Sequence, residues 1–377
     1  MIEKLIEENH TQLVNVLRTL TYRENKNIIS KIDFNEDRIF LEPLLFAYFN
    51  RIQTDTVFSE SLLSELMQSH FIEKEPLQLK GSYNQNDVAY IPNLGYYRKE
   101  KEKVVNEELQ YVEGTNIEIL KYDIPLLRNV LEVITSRTPG EKHFFIKDQY
   151  VEENLSTLNQ AFKQIKNAIP SRYVFIEKCC KKILLFNEPN PKVPSRVTIN
   201  ALGTLFINIY NNEKNLPFFI DTIAQLTGSM IMTTILQDKK SIFKVDHTQK
   251  ISPITQKEDR RNIYTLFHRL YCHYAAFHCL HHYIGKEFCK EEDRMDLTRR
   301  MVFYLKKCKN DLENFEMVAA HFTGIENILT ENGIYLFNII ENSYKEVLND
   351  RNLEMKKFEH TPINYRMGYS EFIRIKE

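Results

Sequence analysis

Two apolar helical stretches separated by a polar loop occupy the middle of the chain. The first, LPFFIDTIAQLTGSMIMTTIL, starts at Leu216; the second, NIYTLFHRLYCHYAAFHCLHHYIG, runs just past Tyr283. A helix that is apolar around most of its circumference must be wrapped by other elements, so the chain is expected to assemble around this pair. In the first stretch Asp221, Gln225, Ser229 and Thr233 recur at four-residue spacing and form one polar stripe. Phe218, Phe219, Ile223, Leu226, Met230 and Ile231 fill the remaining circumference. An unmatched buried polar group costs roughly 1–3 kcal/mol, so the stripe is expected to face a cavity or a polar neighbour.

The flanking sequence supplies the wrapping. From Met1 to about His70 apolar residues recur at three and four, as in Leu5, Leu13, Val16, Leu17 and Leu20, which predicts amphipathic helices. Between about Glu73 and Asn116 the pattern weakens and reads as a surface excursion, with the run RKEKEK (Arg98 to Lys103) as a patch that could dock an acidic peptide. A short strand is expected at IEILKYD, then a helix through DIPLLRNVLEVITSR that ends at TPG, and an amphipathic helix from Val151 to about Ala168. KKILLFN, RVTIN and TLFINIY read as a small sheet just before the central pair. Thr330 is placed to cap a final long helix, with Tyr335, Leu336, Ile339 and Ile340 inward.

Lys and Arg total 50 against 51 Asp and Glu, and this balance offers no field to attract nucleic acid. Apolar runs are interrupted before membrane-spanning length, and MIEKLIEENH lacks the basic start and apolar centre of a signal peptide. The chain therefore reads as cytoplasmic, with neither nucleic acid nor membrane as partner. Six cysteines in 377 residues, with Cys179 and Cys180 adjacent and no Cys-x-x-Cys spacing, read as reduced thiols.

A helix after a small sheet, then Ser252-Pro253 in a loop, then Arg261 seven residues before the helical His268, and LTENGIYLF from Leu329 to Phe337, form an ordered set of landmarks. Over roughly residues 195–349 this order resembles the HExxH-type peptide-modifying proteins of pathways for ribosomally made, modified peptides. That family includes iron- and 2-oxoglutarate-dependent peptide β-hydroxylases. The resemblance implies two metal-binding histidines at i and i+4 on the central helix. Here those positions carry Gln225 and Ser229, with Leu226 after the first. Gln and Ser are weak neutral oxygen donors, whereas iron or zinc requires imidazole, thiolate or carboxylate. The resemblance also favours Arg261 as a grip for a carboxylate, against a plain helix-start salt bridge within QKEDRR.

A relocated metal site is the competing possibility. His268, Cys272, Cys279 and His282 share one face of the second helix, and His278 and His282 are four apart. The rival account is a buried aromatic helix with satisfied histidines and free thiols. Asp221 could be a carboxylate ligand or a helix-start acid. The basic helix LTRRMVFYLKKCKNDLENF could dock a partner or face solvent.

The sequence thus predicts a mainly α protein with a small β-sheet (α+β), a buried central helix and aromatic-rich helices after it. Its expected divisions are 1–116, 117–349 and a C-terminal arm 350–377. The expected function is a pseudoenzyme without a cofactor that binds a precursor peptide or a peptide-modifying enzyme, through Asp221, Gln225, Ser229, Arg261 and His268. The alternatives are an iron- and 2-oxoglutarate-dependent hydroxylase built on His268, Cys272, His278 and His282, and a structural helical interaction protein.

Overall fold

A computed structural model describes residues 1–51, 61–101, 103–134, 146–188, 193–210, 215–358 and 360–374. The expected TPG helix end, and part of the turn-rich run before RVTIN, lie outside them. The chain is mainly α-helical with two small sheets, as the apolar periodicities require. It divides into two compact units, one of Met1–Ile6, Gln160–Ile176 and Asn215–Glu377, the other of Glu7–Asn159 and Glu177–Lys214.

The second of these units holds both sheets. Strands β1 (Val88–Ile91), β2 (Gly95–Glu100) and β3 (Lys103–Glu107) form an antiparallel meander. This corrects the expectation of a surface excursion there. Tyrosines supply the buried side chains that aliphatic periodicity would have revealed: Tyr90 and Tyr96 are 3% and 1% exposed, and the Tyr96 hydroxyl accepts from the Lys121 amide. Gly95 opens β2 at φ +126°, where a Cβ would sit 2.6 Å from the Glu107 carbonyl oxygen, so the tight pairing with β3 requires glycine.

Strands β4 (Gln110–Tyr111), β5 (Glu118–Leu120), β6 (Lys182–Phe186) and β7 (Thr204–Asn208) form the other sheet in that order. β5, β6 and β7 run parallel and are buried throughout, which accounts for their near-continuous apolar sequences. RVTIN does not form the strand expected of it. Only Arg196 makes an isolated bridge, to Phe206, and Ile199–Ala201 is a 3₁₀ turn. The Thr198 side chain accepts from the Asn200 amide, a local bond that competes with a ladder.

The other unit is a helical assembly. The central helix spans Leu216–Ile235, the aromatic helix Ile263–Ile284, the long helix Glu291–His321 and the final long helix Glu331–Asp350. Asn215, Asn262 and Thr330 cap three of them by accepting from Phe218, Thr265 and Gly333 amides. The aromatic helix packs against the other three, which is why it is apolar almost all round. Where it meets the central helix, Gly228 lies so close to Ala275 that a Cβ there would collide with the alanine methyl. The central helix is long and apolar enough to cross a membrane by composition, yet 89% of that window is buried inside the structure. It is a core helix. On the final long helix Leu336, Phe337 and Ile340 face inward, whereas Tyr335 is 40% exposed.

The basic helix finds its partner within the chain. Lys306 donates to the Phe358 and Thr361 carbonyls, and Lys307 to that of Asn364. Val302 and Phe303 pack with Phe358, Met367 and Phe372. The C-terminal arm is therefore pinned along the long helix by ammonium-to-carbonyl bonds and an aromatic cluster.

Candidate functional site

Asn215 starts the central helix, and its pitch sets the polar stripe on one side. Asp221 is only 4% exposed, while Gln225, Ser229 and Thr233 are partly exposed. Asp221 is therefore separate from the rest of the stripe. The Arg300 guanidinium of the long helix donates to its carboxylate at 2.7 Å, and the Tyr304 hydroxyl acts on it electrostatically. Arg300 in turn holds Asp296 at 3.0 Å and stacks 4.3 Å over Tyr369, whose hydroxyl donates to Asp296 at 2.6 Å. Burial raises the Asp221 pKa above the ordinary carboxylate value, although Arg300 pulls the other way. This carboxylate ties two helices together and neither caps a helix dipole nor stands open as a ligand.

The lower stripe meets the aromatic helix. Thr233 Oγ1 and His268 Nε2 are 3.1 Å apart, and His268 Nδ1 lies 3.5 Å from Cys272 Sγ. The Ser229 backbone and side chain act electrostatically on the His268 ring and the Cys272 thiol. Ser229, Thr233, His268 and Cys272 thus form one interhelical polar cluster, with partly exposed Gln225 one turn before it. Burial, assisted by Arg269, lowers the His268 pKa to about 3, and burial raises the Cys272 thiol to about 11. A neutral imidazole beside a protonated thiol is a hydrogen-bonding set with no thiolate to attack or to bind metal.

The face shared by His268, Cys272, Cys279 and His282 does not make one site. His268 and His278 are ten residues apart, about 15 Å along a helix, and no single ion spans that. The histidines instead resolve into local partnerships. His278 and His282 meet through their Nε2 atoms at 3.1 Å. His273 Nε2 lies 3.4 Å from Asp311, and His281 Nε2 lies 3.5 Å from Asp350. Cys279 is fully buried, and the chain's other cysteines are buried too, all as free thiols.

Arg261 is likewise engaged. Asp259 and Asp311 both chelate its guanidinium, with five nitrogen–oxygen distances of 2.7 to 3.0 Å, and Tyr365 covers it at 4.9 Å. It is 8% exposed. The salt bridge that QKEDRR suggested is buried and reaches the long helix.

An iron site of the kind the resemblance implies does not fit these residues. Its two imidazole positions carry an amide and a hydroxyl, both weak neutral oxygen donors. The arginine assigned to a 2-oxo acid has two carboxylates on it already. No family model matches the chain, and no curated protein matches it significantly.

One charged cluster escaped the sequence. Lys182, at the start of β6, donates to Tyr90 Oη and Glu118 Oε2, each at 2.7 Å, and lies 3.3 Å from Glu42 Oε2. Burial alone would lower its pKa, but Glu118 and Glu42 hold it above the ordinary lysine value. The only available signal was a lysine leading an apolar run that is otherwise fully buried. Of RKEKEK, in contrast, Arg98, Lys99 and Glu100 end β2 and Lys103 starts the edge strand β3, where Val104 and Val105 are 52% and 44% exposed.

Proposed function

We propose that this protein is a cytoplasmic, non-catalytic peptide-binding partner in a pathway that modifies ribosomally made peptides. The observation that carries this reading is the lower stripe of the central helix. At the two places where the resembled family would hold a metal, Gln225 and Ser229 offer partly exposed neutral donors and acceptors. Such groups suit the amides and carbonyls of an extended peptide, whose recognition rests on neutral hydrogen bonds beside apolar contacts. Two further features support it. His268 is neutral and spent on Thr233 and Cys272. Arg261 is consumed by its two aspartates.

The test is selection of a displayed random-peptide library on the full chain, followed by titration of the enriched peptide in synthetic, fluorescently labelled form. Ser229→Arg and Gln225→Arg should each weaken that peptide at least tenfold, through steric block at the partly exposed stripe. Failure to enrich any sequence motif, or equal affinity for wild type and both variants, rejects the reading. Turnover of the same peptide in the presence of ferrous iron and 2-oxoglutarate would reject its non-catalytic half. A short precursor-like reading frame beside the gene would supply the natural ligand for the same titration.

A further inference from the structure

We infer that His278 and His282 form a binding site for one divalent transition-metal ion of the imidazole-preferring class, on the solvent-reaching end of the aromatic helix. Their spacing of four places both rings on one helical face, and the two Nε2 atoms converge to 3.1 Å. Two nitrogens at ~2.0–2.1 Å from one tetrahedral zinc ion are separated by about 3.3 Å, so the pair needs to open only slightly to accept it. The ring centroids lie 4.4 Å apart and inclined at 65°, so the rings converge on their Nε2 edges without face-to-face stacking.

The surroundings favour a chelate over a purely structural contact. Both rings are partly exposed, which leaves an approach for the ion and further positions for water. The hydrogen bond between two imidazoles requires one Nε2–H donor. Moving that proton to Nδ1 frees both Nε2 lone pairs without release of a proton to solvent, although His278 Nδ1 is buried with no hydrogen-bond partner and its N–H there stays unmatched, a cost to binding. The exposed Glu346 of the final long helix acts on His282 electrostatically and would offset part of an ion's charge.

Arg172 opposes the ion, because its charge acts on His278. Its guanidinium is spread over the Tyr274 ring at 4.7 Å and bonded to the Ala275 carbonyl at 3.4 Å. His281 is turned away toward Asp350. His268 and Cys272 are about 15 Å or more further along the helix axis from His282 and belong to the other cluster. The site is thus a two-histidine chelate open to exogenous ligands, and it stands independently of the peptide-binding reading.

Zinc titration of the tag-free full chain, by calorimetry against a competing chelator, tests it. One zinc per chain is expected, with affinity reduced by at least the roughly 10-fold that even an outer-shell change causes in both His278→Gln and His282→Gln. Cys272→Ser and Gln225→Ala should bind as wild type does. Zinc should also raise the melting temperature of wild type and of those two controls but not of the histidine variants, which reports the site even where His278→Gln alters stability. Absence of stoichiometric zinc, or affinity unchanged in His282→Gln, overturns the inference. Loss of binding in Cys272→Ser overturns it as well, in favour of the interhelical cluster.

Discussion

Arg261 and Asp311, fifty residues apart, meet in a two-pronged ion pair, with Nη1 donating to Oδ2 at 2.9 Å and Nη2 to Oδ1 at 2.7 Å. Asp259 completes the clasp from the same turn as Arg261, and His273 reaches Asp311 from the aromatic helix. The network therefore fixes the entry of the aromatic helix against the long helix. Asp311→Ala leaves Arg261 paired with Asp259 but removes two buried charge-assisted hydrogen bonds, so it should cost about 1.5–3 kcal/mol in urea unfolding. A cost below ~1 kcal/mol would show that the pair contributes no more than a surface salt bridge.

Gly228 and Ala275 mark the closest approach of the central and aromatic helices. Gly228→Ala introduces a methyl where another already sits and should destabilise by about 1–3 kcal/mol, despite alanine's better helix propensity. Ala275→Gly in the same chain should restore part of that loss. Strict additivity of the two substitutions in a double-mutant cycle would mean that the helices do not touch there.

Four histidines give the fold an acid limb. Burial lowers His268 and His278 to about 3 and His273 and His10 to about 4, against about 6.5 in an unfolded chain. A base whose folded pKa is depressed binds its proton preferentially when unfolded. Stability is therefore complete above pH 6.5 and falls as pH drops from there toward 4. His268→Gln should reduce the slope of stability against pH in that window by about one proton per molecule, read from urea midpoints. An unchanged slope would place the His268 proton elsewhere.

Asp311 adds a second limb lower down. Burial would raise its carboxyl, but bonds from His273 and Arg261 more than offset this and hold it at about 2. A depressed carboxylate contributes stability above its unfolded value, ~3.9, that is lost as pH falls from there toward 2. Asp311→Asn should flatten the stability curve in that lower window while leaving the fall between pH 6.5 and 4 in place.

Lys182 is the corresponding test in the sheet-bearing unit. Lys182→Met strips Glu118 and Glu42 of their cation and should cost about 3–5 kcal/mol. Adding Glu118→Leu should recover much of the loss, because the paired removal eliminates a buried charge as well as its partner. Retention of wild-type stability by Lys182→Met alone would mean that the two glutamates are already neutral.

Much of the helical architecture was legible because its causes are local. Asn215, Asn262 and Thr330 cap helices by bonds that span three residues, and the runs at Ile183–Phe186 and Leu205–Ile207 are strands because both faces are buried. The β1–β3 meander was missed because tyrosines carry its burial, and RVTIN was over-read because Thr198 bonds its own neighbour. At the candidate site, helical period correctly placed the stripe and the histidines on their faces. It says nothing of distance along the axis, so it merged two clusters into one.

The sequence by itself determined where the helices lie, that the central one is buried and that its stripe carries the neutral side chains of Gln225 and Ser229. These follow from side-chain chemistry and a fixed pitch. Only the tertiary structure decided what each charged group touches: Asp221 with Arg300 79 residues on, Arg261 with Asp311, Lys182 with Glu118, Lys306 and Lys307 with the C-terminal arm. A charge carries no local record of its partner. Burial requires that one be found, and the packing of distant elements selects which.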